Sequence, residues 1–356
     1  MKRYCKAFAL LTSMLFMLTS CTYSLLGSSS TPSTAASSAA QSSAPISSLP
    51  PDNGTSTPQV DSSGPVKPET PVKPVISPEY EDIAALSNQK VQWGPGTRLD
   101  NDGRPAEPVG LQKKYGKYGA YFISPDKDTK KIYLTFDEGY ENGFTPKILD
   151  TLKEKGVSAV FFITYDYAKR NPELVQRMID EGHIVGNHST THPSMPDLSL
   201  DEAKKEIQTL HDYVLQNFGY EMWLFRPPQG DFSERTLALA HSLGYLNIFW
   251  SFAYKDWDVE NQSGYDSALA KVTKAPHAGG IYLLHAVSKD NSEILGAVID
   301  NFRSKGFTLA TFDLIGDPAA QTKAESSNTL SGSSEASSTT DSSNASSAAK
   351  DAVLIE

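Results

Sequence analysis

Several short stretches of this chain hold residue types that do chemistry, and the first is Thr135-Phe-Asp-Glu-Gly139. It ends an apolar, β-favouring run, Lys131-Ile-Tyr-Leu-Thr-Phe136, and places two adjacent carboxylates, Asp137 and Glu138, where that run gives out. A buried strand that delivers charge to its C-terminal end is where α/β folds collect ligands and catalytic groups. The second stretch is Asn187-His188-Ser-Thr-Thr-His192. Histidines four apart sit on one face of a helical turn, with ring nitrogens able to meet at one metal. Two imidazoles and one carboxylate, with positions open for water, suit zinc or a similar divalent ion.

Three further stretches follow. In Arg226-Pro-Pro-Gln-Gly230 a guanidinium comes directly after the strand-like Trp-Leu-Phe, where it could hold a carboxylate by paired hydrogen bonds. The prolines and Gly230 stiffen a loop whose amide at Gln229 could face a developing oxyanion. Asp256-Trp257 supplies one more carboxylate. His285 closes the run Gly280-Ile-Tyr-Leu-Leu, and an acid such as Asp256 beside it would raise its pKa and favour a protonated general acid. His183, His211, His241 and His277 lack comparable neighbours and read as structural or surface residues.

Positioning these groups requires a regular scaffold. Strands are expected over 131–136, 157–164, 184–187, 223–225, 246–251, 280–285 and 307–311, and helices over 146–155, 172–181, 199–217, 233–243 and 292–305. The helix from 199 starts on a Ser199 cap followed by early acids. Strands alternating with helices of this length imply a mainly parallel α/β sheet. Periodicity leaves a barrel and an open doubly wound sheet both possible. The recurrence of polar groups at the ends of many different strands leans towards a barrel.

Outside this unit the composition changes. Of 356 residues only 39% are hydrophobic, and Ser-rich ends dilute that figure, so one core of roughly 200 residues plus tails fits better than two domains. The formal charge of −10 argues against nucleic acid, which wants a Lys/Arg patch, and suits a neutral or amphoteric polymer. Lys2, Arg3 and Lys6 precede an apolar run, Ala7 to Leu18, too short to span a bilayer but of the length of a signal-peptide h-region. Both cysteines, Cys5 and Cys21, lie in or at the end of that leader, so no thiol remains beyond it for disulfides, metal ligation or nucleophilic catalysis. The expected organisation is a leader over 1–21, a disordered Ser/Thr/Pro-rich linker over 22–79, an irregular packed lead-in over 80–130, a catalytic domain over 131–316 and a disordered tail over 317–356. As a coil, such a linker of about 50 residues reaches roughly 40 Å.

The five motifs Thr135-Phe-Asp-Glu-Gly139, His188-Ser-Thr-Thr-His192, Arg226-Pro-Pro-Gln-Gly230, Asp256-Trp257 and Leu284-His285 resemble, in this order, those of the NodB-type polysaccharide deacetylases, carbohydrate esterase family 4. The likeness spans about 131–315. It is nearest to the subgroup of peptidoglycan N-acetylmuramic acid deacetylases, on Gly139-Tyr-Glu-Asn-Gly143, Phe249-Trp-Ser-Phe-Ala-Tyr-Lys-Asp-Trp257, Tyr282-Leu-Leu-His-Ala-Val-Ser288 and the lead-in from Gln92-Trp93-Gly94. The resemblance implies an incomplete (β/α) barrel and a metal-dependent de-N-acetylase of cell-wall glycan, acting as a monomer. The metal is zinc on this reading, with cobalt, manganese or magnesium as alternatives. By position it makes Asp137 the general base, His188 and His192 metal ligands with Glu138, Arg226 the residue that orients Asp137, and Gln229 an oxyanion donor. His285 protonates the leaving amine, tuned by Asp256, with Trp257 packing nearby.

Two positions depart from the pattern. Glu138 stands where most of the family has Asp and the muramic subgroup Asn, which puts its ligation in question. Gln229 replaces a basic residue, which leaves N-acetylglucosamine, chitin-like oligomers and O-acetyl xylan as alternative substrates. An inactive, anchored glycan-binding protein is the alternative outside enzymes. At the other end of the chain, Leu18-Thr-Ser-Cys21 resembles a bacterial lipobox, which implies lipidation at Cys21 and an extracytoplasmic, membrane-anchored protein.

Overall fold

The computed structural model describes residues 73–76, 78–312 and 316–319. Leader, Cys21, most of the linker and most of the tail lie outside the described residues. No helix among those described is long and apolar enough to cross a membrane.

In chain order the elements are β1 (Val91–Gln92), α1 (Ala106–Tyr115), β2 (Ala120–Tyr121), β3 (Lys131–Glu138), α2 (Thr145–Lys155), β4 (Val160–Ile163), α3 (Tyr165–Arg170), α4 (Pro172–Asp180), β5 (Ile184–Asn187) and α5 (Leu200–Phe218), then β6 (Leu224–Phe225), β7 (Asp231–Phe232), α6 (Glu234–Ser242), β8 (Leu246–Ile248), α7 (Tyr265–Thr273), β9 (Gly280–His285), α8 (Lys289–Ser304) and β10 (Thr308–Leu309). β3 is central. Ile132 to Asp137 pair in parallel with β9 on one edge, while β4 and β10 share the other. The sheet continues through β5, β6 and β8 to β2, all parallel. After β8 the chain returns to β9 through a parallel bridge between Phe252 and Tyr282, with Ser251 N–H donating to the Ile281 carbonyl and Leu283 N–H to that of Phe252. That bridge closes the sheet into a distorted (β/α) barrel.

Alternation along β3 explains the layering. Ile132, Leu134 and Phe136 face outward into a core shared with Ile148 and Leu149 of α2 and Ile294, Leu295 and Val298 of α8. Tyr133 faces the barrel interior, with Phe162, Ile281, Leu283, Phe249 and Trp250. The helices cover the outer layer because their buried residues recur at helical spacing, as Ala203, Ile207, Leu210 and Val214 do along α5. That helix starts on a Ser199–Glu202 capping box.

Three sequence expectations need correction. The lead-in over 80–130 is not irregular throughout: it contains α1, and β2 joins the main sheet against β8. Gln112 makes that possible by donating to Ala120 O and accepting from Phe122 N–H, a side chain standing in for a strand partner. The helices α3 and α7 were not expected, because α3 is only 6 residues long and α7 follows the loop-like stretch after Trp257. Finally, packing runs past 316 and starts before 80. Buried Asp317 accepts at Oδ2 from His241 Nε2 at 3.0 Å, and Lys73 Nζ lies 2.5 Å from Glu221 Oε1.

Candidate active site

Register alone assembles most of the site. Asp137 lies opposite His285 in the β3–β9 ladder and opposite Phe162 in the β3–β4 ladder. His188 is the residue after β5 and Arg226 the residue after β6, where Arg226 N–H donates to the Asn187 carbonyl at 2.9 Å. Four strands thus end on four functional side chains. Asp137, His188 and His285 line a cleft of about 560 Å³ together with His192, Gln229, Trp257 and the apolar wall of Leu283, Val287 and Trp250, while Arg226 lies buried behind Asp137.

Arg226 is the internal brace. It is fully buried, and all three guanidinium nitrogens are used: Nη1 donates to Asp137 Oδ1 at 2.6 Å, Nη2 to Thr135 Oγ1 and the Phe249 carbonyl, and Nε to the Ile248 carbonyl. Its plane lies against the Phe162 ring, 4.2 Å from the centroid. Burial would raise the Asp137 carboxyl. The Arg226 charge, helped by His188 and His285, outweighs it and holds Asp137 below the ordinary carboxylate range.

His188 is set from both sides. Its Nδ1 donates to the Arg226 carbonyl at 2.9 Å, which leaves Nε2 with a lone pair 3.5 Å from Asp137 Oδ2. Burial depresses its pKa to about 4, against the pull of Asp137, and burial lowers His192 as well. The two rings stand 4.8 Å apart at 72°. They do not share a helical turn, as the spacing suggested. Ser189 and His192 have φ of 68° and 61°, so the segment is a tight irregular loop that turns both rings inward. Glu206 of α5 holds the loop open: its carboxylate accepts from the N–H groups of Thr190 and Thr191 and from Thr191 Oγ1. Asn187 adds an acceptor, its Oδ1 receiving the Ser189 N–H.

Glu138 is placed elsewhere. It has the opposite side-chain parity to Asp137 on β3, is fully buried, and is not among the residues lining the cleft. Its Oε1 accepts a long 3.4 Å bond from Thr145 Oγ1 and its Oε2 has no partner. Burial, reinforced by the nearby Glu141 charge, raises its pKa well above the ordinary value. Among the described residues no three His, Cys, Asp or Glu side chains meet in a metal-binding group. The donors the cleft offers a divalent ion are His188, whose Nε2 lone pair is free, and His192 beside it, and Glu138 as placed does not join them.

On the neighbouring strand β9, His285 donates from Nδ1 to Asp256 Oδ1 at 2.8 Å, so Nε2 is the nitrogen left for a substrate. Burial pulls its pKa down, but the Asp256 hydrogen bond and charge, with Asp137 on the adjacent strand, leave it raised. Gln229 adopts φ 61° within the Pro228–Gly230 turn and donates from Nε2 to the His192 carbonyl, joining two of the loops that the sequence picked out separately. Trp257 stands at the rim, 56% exposed, with Lys255 over its ring. Facing the same cleft is Tyr140, 51% exposed, a site residue that sequence reasoning missed although it follows Gly139 directly. Glu206 and Asn291 were missed too, since neither lies in a strand-end motif.

A mostly parallel distorted barrel gathers Asp137, His188 and His285 at its strand ends, with His192 beside them, as α/β barrels gather their functional groups. Comparison with known proteins names the class. Residues 124–248 match the polysaccharide deacetylase family model. The chain is 41% identical over 230 residues to the peptidoglycan-N-acetylmuramic acid deacetylase PdaA of Bacillus subtilis, covering 64% of this chain and 87% of that one. It is 46% identical to an uncharacterised 30.6 kDa protein of Geobacillus stearothermophilus, over 65% of this chain and 86% of the other. The solved structure of B. subtilis PdaA, a family 4 carbohydrate esterase, superposes with a TM-score of 0.61 at 40% identity, covering 65% of this chain and 98% of that one. This chain belongs to the polysaccharide deacetylases of carbohydrate esterase family 4, hydrolases acting on carbon–nitrogen bonds.

Proposed function

We propose that the protein removes acetyl groups from N-acetylmuramic acid residues of peptidoglycan, releasing acetate, outside the cytoplasm and tethered through a lipid at Cys21. The observation that carries the substrate is the 41% identity to PdaA across 87% of that enzyme. The site supports the chemistry. Asp137, kept ionised by Arg226, takes a proton from the attacking water. His285, its Nδ1 held by Asp256, gives a proton from Nε2 to the leaving amine. Between them the Gln229 loop offers its backbone to the carbonyl oxygen, and Leu283 and Val287 give the acetyl methyl an apolar wall. His188 and His192 would hold a divalent ion, zinc on this reading, which would supply Lewis acidity to the water and the carbonyl. Trp257 and Tyr140 offer ring faces to the sugar at the rim. On this reading the protein works as a monomer.

The test is acetate release from glycan strands stripped of stem peptides, from intact peptidoglycan and from chitooligosaccharides. Release from the glycan strands is expected, lost on chelation, restored by a divalent metal and reduced by about a thousandfold or more in Asp137→Asn. Equal release from chitooligosaccharides would move the assignment to N-acetylglucosamine, the alternative that Gln229 raises.

A further inference from the structure

Behind His285 the hydrogen-bond chain runs one residue beyond Asp256. The Asp256 carboxylate is buried, and Oδ2 accepts from the His285 backbone N–H at 2.8 Å while Oδ1 takes the ring proton. Oδ2 also accepts from Asn291 Nδ2 at 2.6 Å. The same amide nitrogen donates to the His285 carbonyl at 3.1 Å, so the Asn291 amide grips both members of the dyad. Its oxygen accepts from the Tyr254 hydroxyl at 2.6 Å. Turning the amide over would aim that oxygen at the Asp256 carboxylate, so a single orientation is selected from both sides. Asn291 is itself 1% exposed and fixed by its backbone, whose N–H donates to the α8 cap Ser288. Ser288 Oγ donates to Gln262 Oε1 at 2.6 Å, and Gln262 Nε2 donates back to the Asp256 carbonyl at 2.8 Å.

A buried carboxylate keeps its charge and its rotamer only when several donors converge on it. An ionised carboxylate at Nδ1 in turn fixes which imidazole nitrogen faces the cleft. Without Asn291, Oδ2 keeps only the His285 backbone donor, and the carboxylate is held by His285 alone, with nothing beyond the dyad to fix its terminal torsion. We infer that Asn291, set by Tyr254, is a positioning residue for the catalytic acid: it holds the Asp256 carboxylate so that the His285 proton stays on Nδ1 and Nε2 faces the substrate. The role rests on the proposed reaction, in which His285 serves the leaving amine.

Asn291→Ala and Tyr254→Phe in the full chain test it, with kinetics on stem-peptide-free glycan strands and the imidazole nitrogen NMR spectrum, His285→Gln serving for assignment. For Asn291→Ala, kcat is expected to fall by about ten- to a hundredfold with KM within about twofold, and the His285 signals, recorded at a pH where the ring is neutral, to lose their single Nδ1–H pattern. Tyr254→Phe is expected to give a smaller loss of the same kind, about three- to tenfold. An unchanged His285 spectrum in Asn291→Ala overturns the inference whatever happens to kcat, since a merely structural residue would lower stability without moving the tautomer. If Asn291→Ala does not fold, Tyr254→Phe decides by the same spectrum and the same split between kcat and KM. The spectrum needs no turnover, so a wild-type protein that released no acetate would remove the proposed reaction while this measurement still stood.

Discussion

Two adjacent acidic residues have opposite fates because a strand sends successive side chains to opposite faces. Asp137 goes inward to Arg226 and stays charged, whereas Glu138 goes outward into a pocket with Thr145 and Tyr167 and is driven towards its neutral form. Glu138→Gln, which keeps the shape without the acid, is therefore expected to change stability by no more than about 1 kcal/mol. Zinc affinity measured by calorimetry should stay within about threefold of wild type. A tenfold loss of affinity would mean that Glu138 swings round to the imidazoles. Arg226→Lys is the opposite case. A lysine cannot serve Asp137, Thr135, Ile248 and Phe249 at once, and it leaves a buried carboxylate underpaired. Denaturant unfolding should show a loss of about 3–5 kcal/mol, with acetate release falling alongside. The sequence made the role of Arg226 readable because charge after an apolar strand has few other uses. The fate of Glu138 was hidden because an acidic pair carries no sign of which member turns inward.

Elements rather than single residues decide how the histidine pair is presented. Spacing of four suggested a helical turn, and the chain instead builds a left-handed loop whose amides are taken up by a side chain sixteen positions along, on α5. Nothing local to His188 and His192 could reveal Glu206, since the partnership exists only once α5 packs beside the loop. Glu206→Ala removes three acceptor contacts and exposes two loop amides, at a cost of about 1–3 kcal/mol. Hydrogen exchange over 189–192 should accelerate, and kcat/KM should drop by about tenfold or more. Unchanged exchange there would show that the loop holds itself. By contrast β3, β5 and β9 were readable nearly to the residue, because strands buried on both faces are continuous apolar runs. The short β2 was not, since two residues paired to a distant strand leave no periodicity to read.

At the scale of the whole molecule, stability depends on histidines kept neutral away from the cleft. His183 and His277 are both pushed down by burial to about 4, from an ordinary value of 6.5. His183 Nδ1 accepts from Ala159 N–H, and His277 Nε2 meets the Ser251 hydroxyl. Because the unfolded chain binds these protons more readily, their contribution is fully present above about pH 6.5 and is lost as pH falls towards 4. Melting temperature should decline through that window, and a His183→Gln, His277→Gln double variant should show a shallower slope. An equally steep slope would assign the acid sensitivity to other groups.

His241 receives the Tyr80 hydroxyl on one ring nitrogen and faces Asp317 with the other, and it sits beside Gly119, at the end of the barrel where β2 begins. The route into the folded body and the route out of it therefore converge behind the sheet, on the side away from the cleft. Tyr80 and Asp317, far apart in sequence, are thereby tied through one imidazole at the end of the sheet opposite the strand ends that carry the cleft.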